Sequence, residues 1–502
     1  MIKGYSRFAR VLHKNMASLE ELRSVRIDKM KKLRDAGMDP FASRSSRTHT
    51  LSEIQNNFEA LSSSKEIVTI AGRAMAIRGQ GAILFIPLYD GSGTLQAVIK
   101  EDSLAEQAFS LFQECIDIGD FIEVTGTFFT TQRGEQSIEV TGWTILTKAI
   151  QPLPDKWHGL ADDDERYRKR YLDILMNQEL RDIFEKKTKF WRTMRRFFED
   201  AGFMEVETPT LEVTTGGAEA RPFITHHNDF DMDVYMRISV GELWQKRLMS
   251  AGFPKTFEIG RVYRNEGSSP DHLQEFTNME FYMAYANYED GMKLVRDLYI
   301  TLAKEVFGTT KFTTRGHTFD LSDKWETIEY VEEIKKQTGI DVLNSTDKEM
   351  STKLEELGVT YNGTNRERLM DTLWKYCRKQ ISGPVFVTQY PTLVMPLAKR
   401  DTKNQLQAQC FNVVIGGSEV GKGYSELNDP IDQNARFEEQ RKLIEAGDEE
   451  AMMPDQEFVE MLEHGMPPTC GFGVGDRLFA FLVDKPIRET ILFPLMRPRR
   501  KE

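Results

Sequence analysis

The spacing of apolar positions changes near residue 65. Before that point Leu19, Leu22, Met30 and Leu33 recur at helical spacing. Ser18 and Glu21 form an S-x-x-E capping pattern, and Gly37 lies where a C-terminal cap falls. From about residue 66 to 148 the period shortens. Residues 68–70, 83–88, 95–99, 121–125 and 137–140 read as strands, with turns at Gly79-Gln80-Gly81, Asp90-Gly91-Ser92-Gly93 and Arg133-Gly134. Five short strands, with a helix over 104–115 between the third and the fourth, predict a five-stranded OB-fold β-barrel.

Gln151-Pro152-Leu153-Pro154 reads as a linker. Beyond it, long helices alternate with strands. Residues 184–198 form an amphipathic helix with Phe184, Trp191, Met194, Phe197 and Phe198 near one face. Residues 325–380 read as mostly helical and show no evident chemistry. No internal repeat or low-complexity tract interrupts the pattern.

Composition narrows the class. At 502 residues the chain is long for a single core, and 40% hydrophobic with 29% charged residues is an ordinary globular balance. No apolar run approaches the roughly 20 residues that span a bilayer. Cys115, Cys377, Cys410 and Cys470 are scattered and form no CxxC pair, which argues against a disulfide framework or a zinc site and fits a reducing cytoplasm. The net charge of −12 argues against a non-specific nucleic-acid coat, yet a local basic surface can still guide an RNA. Basic residues crowd the first helix: Arg23, Arg26, Lys29, Lys31, Lys32 and Arg34. They read either as a solvated face or as an RNA-facing one. Lys3, Arg7, Arg10 and Lys14, with no acid among the first fifteen residues, loosely resemble a transit peptide; a disordered tail, or translation starting at Met16, is the plainer reading.

Two clusters carry chemistry. In residues 257–282 the alternation of Phe257, Ile259 and Val262, a polar loop at Gly267-Ser268-Ser269-Pro270, and then Phe276, Met279 and Phe281 predict a β-hairpin. The hairpin brings Arg264, Glu266, Glu280 and Tyr282 together; alone, it is equally a surface hairpin with charged edges. Near the C-terminus, Gly471-Phe472-Gly473-Val474-Gly475-Asp476-Arg477 reads as a glycine-rich turn entering a helix, whose backbone N–H groups can approach a phosphate. Close by in sequence, Glu419 and Glu426 lie among small residues, as acids that hold Mg²⁺ beside a triphosphate do.

Together these clusters resemble motifs 2 and 3 of the class II aminoacyl-tRNA synthetases. Gly202-Phe203-Met204-Glu205-Val206-Glu207-Thr208-Pro209 resembles motif 1, which builds a dimer interface in that family. Residues 216–228, the Tyr424-Ser425-Glu426-Leu427-Asn428-Asp429 stretch and the OB-fold are similar to lysyl-tRNA synthetases of the bacterial type in particular. The resemblance implies an α+β multidomain chain: a basic tail (1–15), an N-terminal helical segment (16–62), an OB-fold anticodon-binding domain (63–150), and a catalytic domain (151–502) with an antiparallel sheet flanked by helices. Motifs 1, 2 and 3 fall at about 197–211, 257–282 and 471–484.

It further implies that L-lysine is activated by ATP to lysyl-adenylate and passed to tRNA(Lys) in the cytoplasm by a homodimer, with Mg²⁺ as cofactor and without membrane or DNA partners. Arg264 and Arg477 are the implied catalytic residues. Arg264, Glu266, His272, Phe276 and Arg477 hold ATP. Gly216, Glu242, Arg264, Glu280, Tyr282, Lys422, Tyr424 and Glu426 hold lysine. Glu419 and Asn412 hold metal. Arg78, Phe85, Gln96 and Glu135 read the anticodon. The lysine assignment has its own physical support, because an ammonium taken out of water needs acceptors.

Four positions depart from the family pattern. Asn412 stands where a metal-binding carboxylate is usual, and Lys422 stands in place of an asparagine. Val240-Gly241 replaces a proline before Glu242, and motif 3 is one residue short before Asp476. Two rivals follow. An aspartyl- or asparaginyl-tRNA synthetase shares the architecture but needs a pocket for an acid or an amide. A non-charging paralogue keeps the fold without the product.

Overall fold

The computed structural model describes residues 18–79, 81–154, 162–218, 220–361, 365–447 and 451–499. The basic tail, Met16 and Gln80 of the first turn lie outside these residues. The chain divides into two compact units, one running to Arg166 and the other from Tyr167.

In the first unit a closed barrel is built from β1 (Val68–Ala74), β2 (Ile83–Tyr89), β3 (Thr94–Lys100), β4 (Phe121–Thr130) and β5 (Gln136–Thr147), in the order β1-β2-β3-β5-β4. Alternation fills it: Leu84, Ile86 and Leu88 of β2 point inward against Leu95, Ala97 and Ile99 of β3. The parallel β3–β5 pairing closes the barrel, and a helix at Glu106–Cys115 bridges β3 and β4. Ahead of the barrel, α1 (Leu19–Asp35) begins with the expected capping box at Ser18 and Glu21. Its Leu33 shares the barrel's core.

Part of α1's basic face is docked on the barrel. Arg26 is buried and donates to the carbonyls of Ile118, Ala149 and Gln151, and Lys29 pairs with Asp117 at 2.6 Å. Lys32 pairs with Glu114, while Arg23, Lys31 and Arg34 remain exposed. The run thus splits between the two readings the sequence allows.

The second unit is organised by an eight-stranded sheet. Its strands are β6 (Met204–Glu205), β7 (Lys255–Tyr263), β8 (Glu275–Ala284), β9 (Glu326–Glu329), β10 (Val385–Thr388), β11 (Cys410–Ile415), β12 (Ser418–Ser425) and β13 (Thr469–Gly475). In space they run β9-β10-β11-β12-β13-β8-β7-β6. The interior pairings are antiparallel, and each edge ends in a parallel pair. The long helix α2 (Gln178–Asp200) covers one face. Its Phe190, Met194 and Phe198 bury an aromatic layer with Phe257, Phe281 and Phe472 from the sheet, and the Phe198 ring lies 5.2 Å from that of Phe257.

The period-2 rule then dictates the other face. Because Met279 and Phe281 of β8 point into that layer, Phe276, Asn278, Glu280 and Tyr282 point out of it. On β7, Glu258 lies directly opposite Glu280. Its carboxylate accepts from Arg237 at 2.6 Å and from the N–H and hydroxyl of Thr208 at 3.0 and 2.7 Å. Arg237 also donates to the Arg261 carbonyl, so this buried pair ties the segment around Thr208 to the hairpin. Removing one member of a buried pair leaves the other charge uncompensated. Arg237→Met is expected to lower stability by about 3 kcal/mol. Arg237→Met/Glu258→Gln should recover much of that loss, and urea unfolding of the two variants checks both.

Candidate active site

The open face of the sheet forms the floor of a cavity of about 380 Å³. Strand register sets what stands on that floor. Glu280 pairs across to Gly473, Gly473 to Lys422, and Lys422 to Asn412, one rung crossing β8, β13, β12 and β11. The next rung runs Tyr282, Gly471, Tyr424 and Cys410. In both rungs the central strand contributes a glycine, so side chains wall the cavity while its middle stays open.

This corrects one reading of the sequence. Gly471–Gly475 is not a turn but the end of a strand, and β13 passes directly into α3 (Asp476–Leu482). Glycine is a poor strand residue, yet in a strand it marks a place where something approaches the backbone. At Gly471 an added Cβ would lie 2.2 Å from Glu426 Oε1 and 2.6 Å from Tyr282 Cε1.

One end of the cavity is acidic. Glu242, Glu280 and Glu426 line it, each less than 7% exposed. Glu280 accepts from the Val240 N–H at 2.9 Å, from Asn278 at 3.0 Å and from the Tyr282 hydroxyl at 3.0 Å. Burial, reinforced by the charge of Glu242, pushes its carboxyl up to about 7. Glu242 accepts from the Tyr424 hydroxyl and, at 2.7 Å, from Lys246 one helical turn on. Burial pushes the Glu426 carboxyl up, and the Lys246 ammonium at 2.5 Å opposes that push.

Glu242 opens the helix Glu242–Ser250. Gly241 before it has φ +65°, and a Cβ there would meet Thr208 Oγ1 at 2.1 Å. A proline, fixed near −65°, cannot occupy this turn. Its absence from Val240-Gly241 is therefore matched by a different entry into the helix.

The other end is cationic. Arg264, on the hairpin loop, donates to the Ile238 carbonyl from two nitrogens at 3.2 Å and lies 5.4 Å from the Phe276 ring centre. Burial draws the Arg264 guanidinium down, Glu266 opposes that, and Arg477 adds to it. Arginine keeps its charge through such shifts. Arg477 stands in the first turn of α3, next to Asp476, whose buried carboxylate accepts from the Thr277 N–H at 2.9 Å and pairs with Lys187 at 2.9 Å. His272 is held by Ser269 at 2.7 Å, and burial together with Arg477 lowers its pKa. Glu266, His272, Phe276 and Arg477 all border the cavity, as do Lys422 and Tyr424.

Glu419 and Asn412 meet between these ends. Asn412 Nδ2 donates to Glu419 Oε1 at 3.0 Å, and Trp374 and Tyr390 donate to the same oxygen at 2.8 and 2.9 Å. Burial raises the Glu419 carboxyl, but the charge of Arg378 and these donors outweigh it and hold the pKa below the usual value. Asn412 Oδ1 is buried without a hydrogen-bond partner.

Gly216 alone among the expected cavity residues is set back. Its carbonyl accepts from Ser239 at 3.0 Å, and Gly217 and Ala218 border the cavity instead. Trp374, Asn278 and Lys246 were missed by sequence reasoning. Trp374 lies in the helix Arg366–Arg378, within the segment that shows no chemistry in sequence. Asp371, Lys375 and Arg368 of that helix line a second cavity of about 460 Å³ that shares Arg264, Glu266 and Glu419 with the first.

On the barrel, Phe85 points outward from β2 and is half-buried, not part of the core. Arg78 and Phe85 exchange backbone hydrogen bonds at 3.0 and 2.8 Å. Gln96 sits on the same outward face and donates to Ser137 at 3.0 Å. Glu135 is exposed in the β4–β5 turn.

A family model described as tRNA synthetases class II (D, K and N) matches residues 162–497, and one described as an OB-fold nucleic acid binding domain matches residues 68–146. The chain is 44% identical over 487 residues to a protein named Lysine–tRNA ligase from Roseiflexus sp. (strain RS-1), covering 96% of this chain and 99% of the relative. It is 42% identical over 490 residues to the Lysine–tRNA ligase of Thermotoga maritima, covering 96% and 97%. With that of Moorella thermoacetica it shares 42% over 486 residues, covering 96% and 99%.

The floor's need for glycine is directly testable. Gly471→Ala is expected to unseat Glu426 and Tyr282 and to lower stability by about 1–3 kcal/mol, the usual range for overpacking. Gly142→Ala, where a Cβ meets nothing within 4 Å, is expected to change urea stability little.

Proposed function

Because the chain belongs to the class II tRNA synthetases, and among them to the lysine–tRNA ligases, we propose that this cavity activates L-lysine with ATP and then charges tRNA(Lys). A lysine carboxylate oxygen bonds to the α-phosphorus as the bond from that phosphorus to the bridging oxygen of pyrophosphate breaks. The 3′-terminal ribose hydroxyl of tRNA next attacks the lysyl carbonyl, and AMP leaves. Little covalent chemistry is asked of side chains in the first step, so positioning and charge stabilisation dominate.

The observation that carries the reading is the opposition of the cavity's two ends. Arg264 orients the attacking carboxylate and meets the α-phosphate, because its planar fork can bridge two oxygens. Phe276 and Arg477 sandwich adenine, and Glu266 and His272 hold the nucleotide. Glu242 takes the α-ammonium together with the backbone near Gly216 and Gly217. Glu280, Tyr282 and Glu426 take the ε-ammonium, with Tyr424 fixing Glu242. A pocket this acidic opposes the aspartate that a relative of the same architecture would need.

The family implies Mg²⁺ beside the triphosphate, and Glu419 and Asn412 fit one such ion. Both offer oxygen, and Asn412 Oδ1 is a buried acceptor awaiting a partner. Among the described residues no group of three or more His, Cys, Asp or Glu side chains gathers to hold a metal. Mg²⁺ held there supplies charge neutralisation to the phosphates. Lys422 is the cross-strand neighbour of Asn412 and is exposed to the cavity, and we propose that its ammonium shares that electrostatic work.

On the barrel, Phe85 stacks on an unpaired anticodon base while Arg78, Gln96 and Glu135 read base edges. Its outward, half-buried ring supports this role. Exposed apolar residues at Met204, Leu211 and Val213 in and beside motif 1 support a homodimer. Buried, unpaired cysteines suit a reducing cytoplasm. No described helix is long and apolar enough to cross a membrane.

Pyrophosphate exchange that depends on lysine, with no response to aspartate or asparagine, tests the function. Charging of total tRNA separates it from a non-charging paralogue. The acid end adds a pH signature. Glu280 near 7 is partly protonated at neutrality, and a bound ammonium favours its ionised form, so lysine binding must release that proton at lower pH. The KM for lysine is expected to rise about tenfold per pH unit below 7, and a flat profile between pH 6 and 8 contradicts the assignment. For the metal, Lys422→Asn is expected to raise the Mg²⁺ needed for half-maximal exchange about fivefold, the equivalent of about 1 kcal/mol. An unchanged Mg²⁺ dependence contradicts the role of Lys422.

A further inference from the structure

Lys246 lies one turn after Glu242 on the helix Glu242–Ser250 and is only 1% exposed. Its ammonium is 2.7 Å from Glu242 Oε1 and 2.5 Å from Glu426 Oε2. The rings of Tyr282, Tyr424 and Phe458 lie 6.0, 5.6 and 5.7 Å from it. It does not border the cavity, whereas both of its carboxylate partners do. It stands behind the wall that the ligand meets.

The two carboxylates are used the same way. Each gives one oxygen to Lys246. The second oxygen of Glu426, Oε1, is buried without a hydrogen-bond partner and lies where a Cβ on Gly471 would fall at 2.2 Å. The second oxygen of Glu242, Oε2, lies where a Cβ on Gly217 would fall at 2.9 Å. Each oxygen therefore packs against a glycine that borders the cavity.

Charge balance gives Lys246 its significance. Glu242, Glu280 and Glu426 crowd one end of the cavity, and three buried like charges cannot all stay ionised unaided. Arg264 is engaged toward the carboxylate and phosphate end. Once a bound ammonium has ionised all three, Lys246 neutralises one charge and the carboxylates leave two, which match lysine's two ammonium groups.

We infer that Lys246 is a positioning residue for lysine selection: an internal ammonium that pairs with Glu242 and Glu426 together and turns one oxygen of each toward the substrate. The inference rests on the lysine-pocket reading above and adds a residue that never touches lysine. The groups facing Lys246 are Glu242 on its own helix, Glu426 and Tyr424 on and beside β12, and Tyr282 on β8; Phe458, from the helix Gln456–His464, contributes no charge.

The test is pyrophosphate exchange by the full chain carrying Lys246→Met, with Lys246→Gln as a second variant that keeps a donor should the first fail to fold. At pH 7 the KM for lysine is expected to rise about 100-fold, the equivalent of about 2.7 kcal/mol. The KM for ATP should stay within about twofold, and at pH 9 the lysine deficit should shrink to about tenfold, because higher pH ionises the Glu426 carboxyl that burial pushes up and Lys246 draws down. A folded variant whose KM for lysine is unchanged overturns the inference. So does a pH-independent fall in kcat with both KM values moved together, or failure of both variants to fold, since each marks a purely structural pin. Failure of the pocket reading itself looks different: the unmodified chain would then show no lysine-dependent exchange.

Discussion

Three carboxylates buried at one end of a single cavity are the constraint on which the rest of the site depends. Glu242, Glu280 and Glu426 are nearly excluded from solvent, and burial together with the neighbouring charge of Glu242 raises the carboxyls of Glu280 and Glu426. Such a cluster opposes folding unless it is compensated. The compensation is visible around it: Lys246 behind two of the acids, hydroxyls of Tyr282 and Tyr424, and the N–H of Val240. On the proposed function, the negative charge that remains is what an amino acid bearing two ammonium groups partners.

The sheet makes this arrangement possible because one period-2 pattern does two jobs. Phe257, Phe281 and Phe472 seal one face against α2, so the intervening positions have to face the cavity. Antiparallel register then aligns those positions into rungs, with Glu280 and Lys422 on either side of Gly473 and Tyr282 and Tyr424 on either side of Gly471. The pairing of Arg237 with Glu258 keeps a fourth carboxylate, directly opposite Glu280, out of the balance. Which side chains face the cavity is therefore a consequence of register as much as of residue type.

Much of this was legible in the sequence because alternation and capping are local signals. The five barrel strands, the Ser18–Glu21 box and the 257–282 hairpin follow from such signals and stand where the pattern puts them, although β4 and β5 run on to Thr130 and Thr147, well past the ends read at 125 and 140. Gly471–Gly475 misled, because glycine's low strand propensity hides a strand whose partners lie on β8 and β12, far away in sequence. Trp374 and Lys246 were illegible for a related reason. A tryptophan or lysine on an amphipathic helix reads as core or as solvated surface, and only the tertiary fold brings one to Glu419 and the other to Glu426. The departures at Asn412 and Lys422 were visible as residues, but their adjacency across β11 and β12 was not.

The central claim is that fixed negative charge, rather than apolar fit, chooses the substrate. Its most direct measurement is pyrophosphate exchange supported by lysine against that supported by norleucine, which keeps the aliphatic chain and lacks the ε-ammonium. A site built around acceptors for that ammonium should prefer lysine by on the order of 10⁴ or more in kcat/KM. A preference of only about 10–200-fold, the range an apolar pocket reaches by fit alone, would contradict the account.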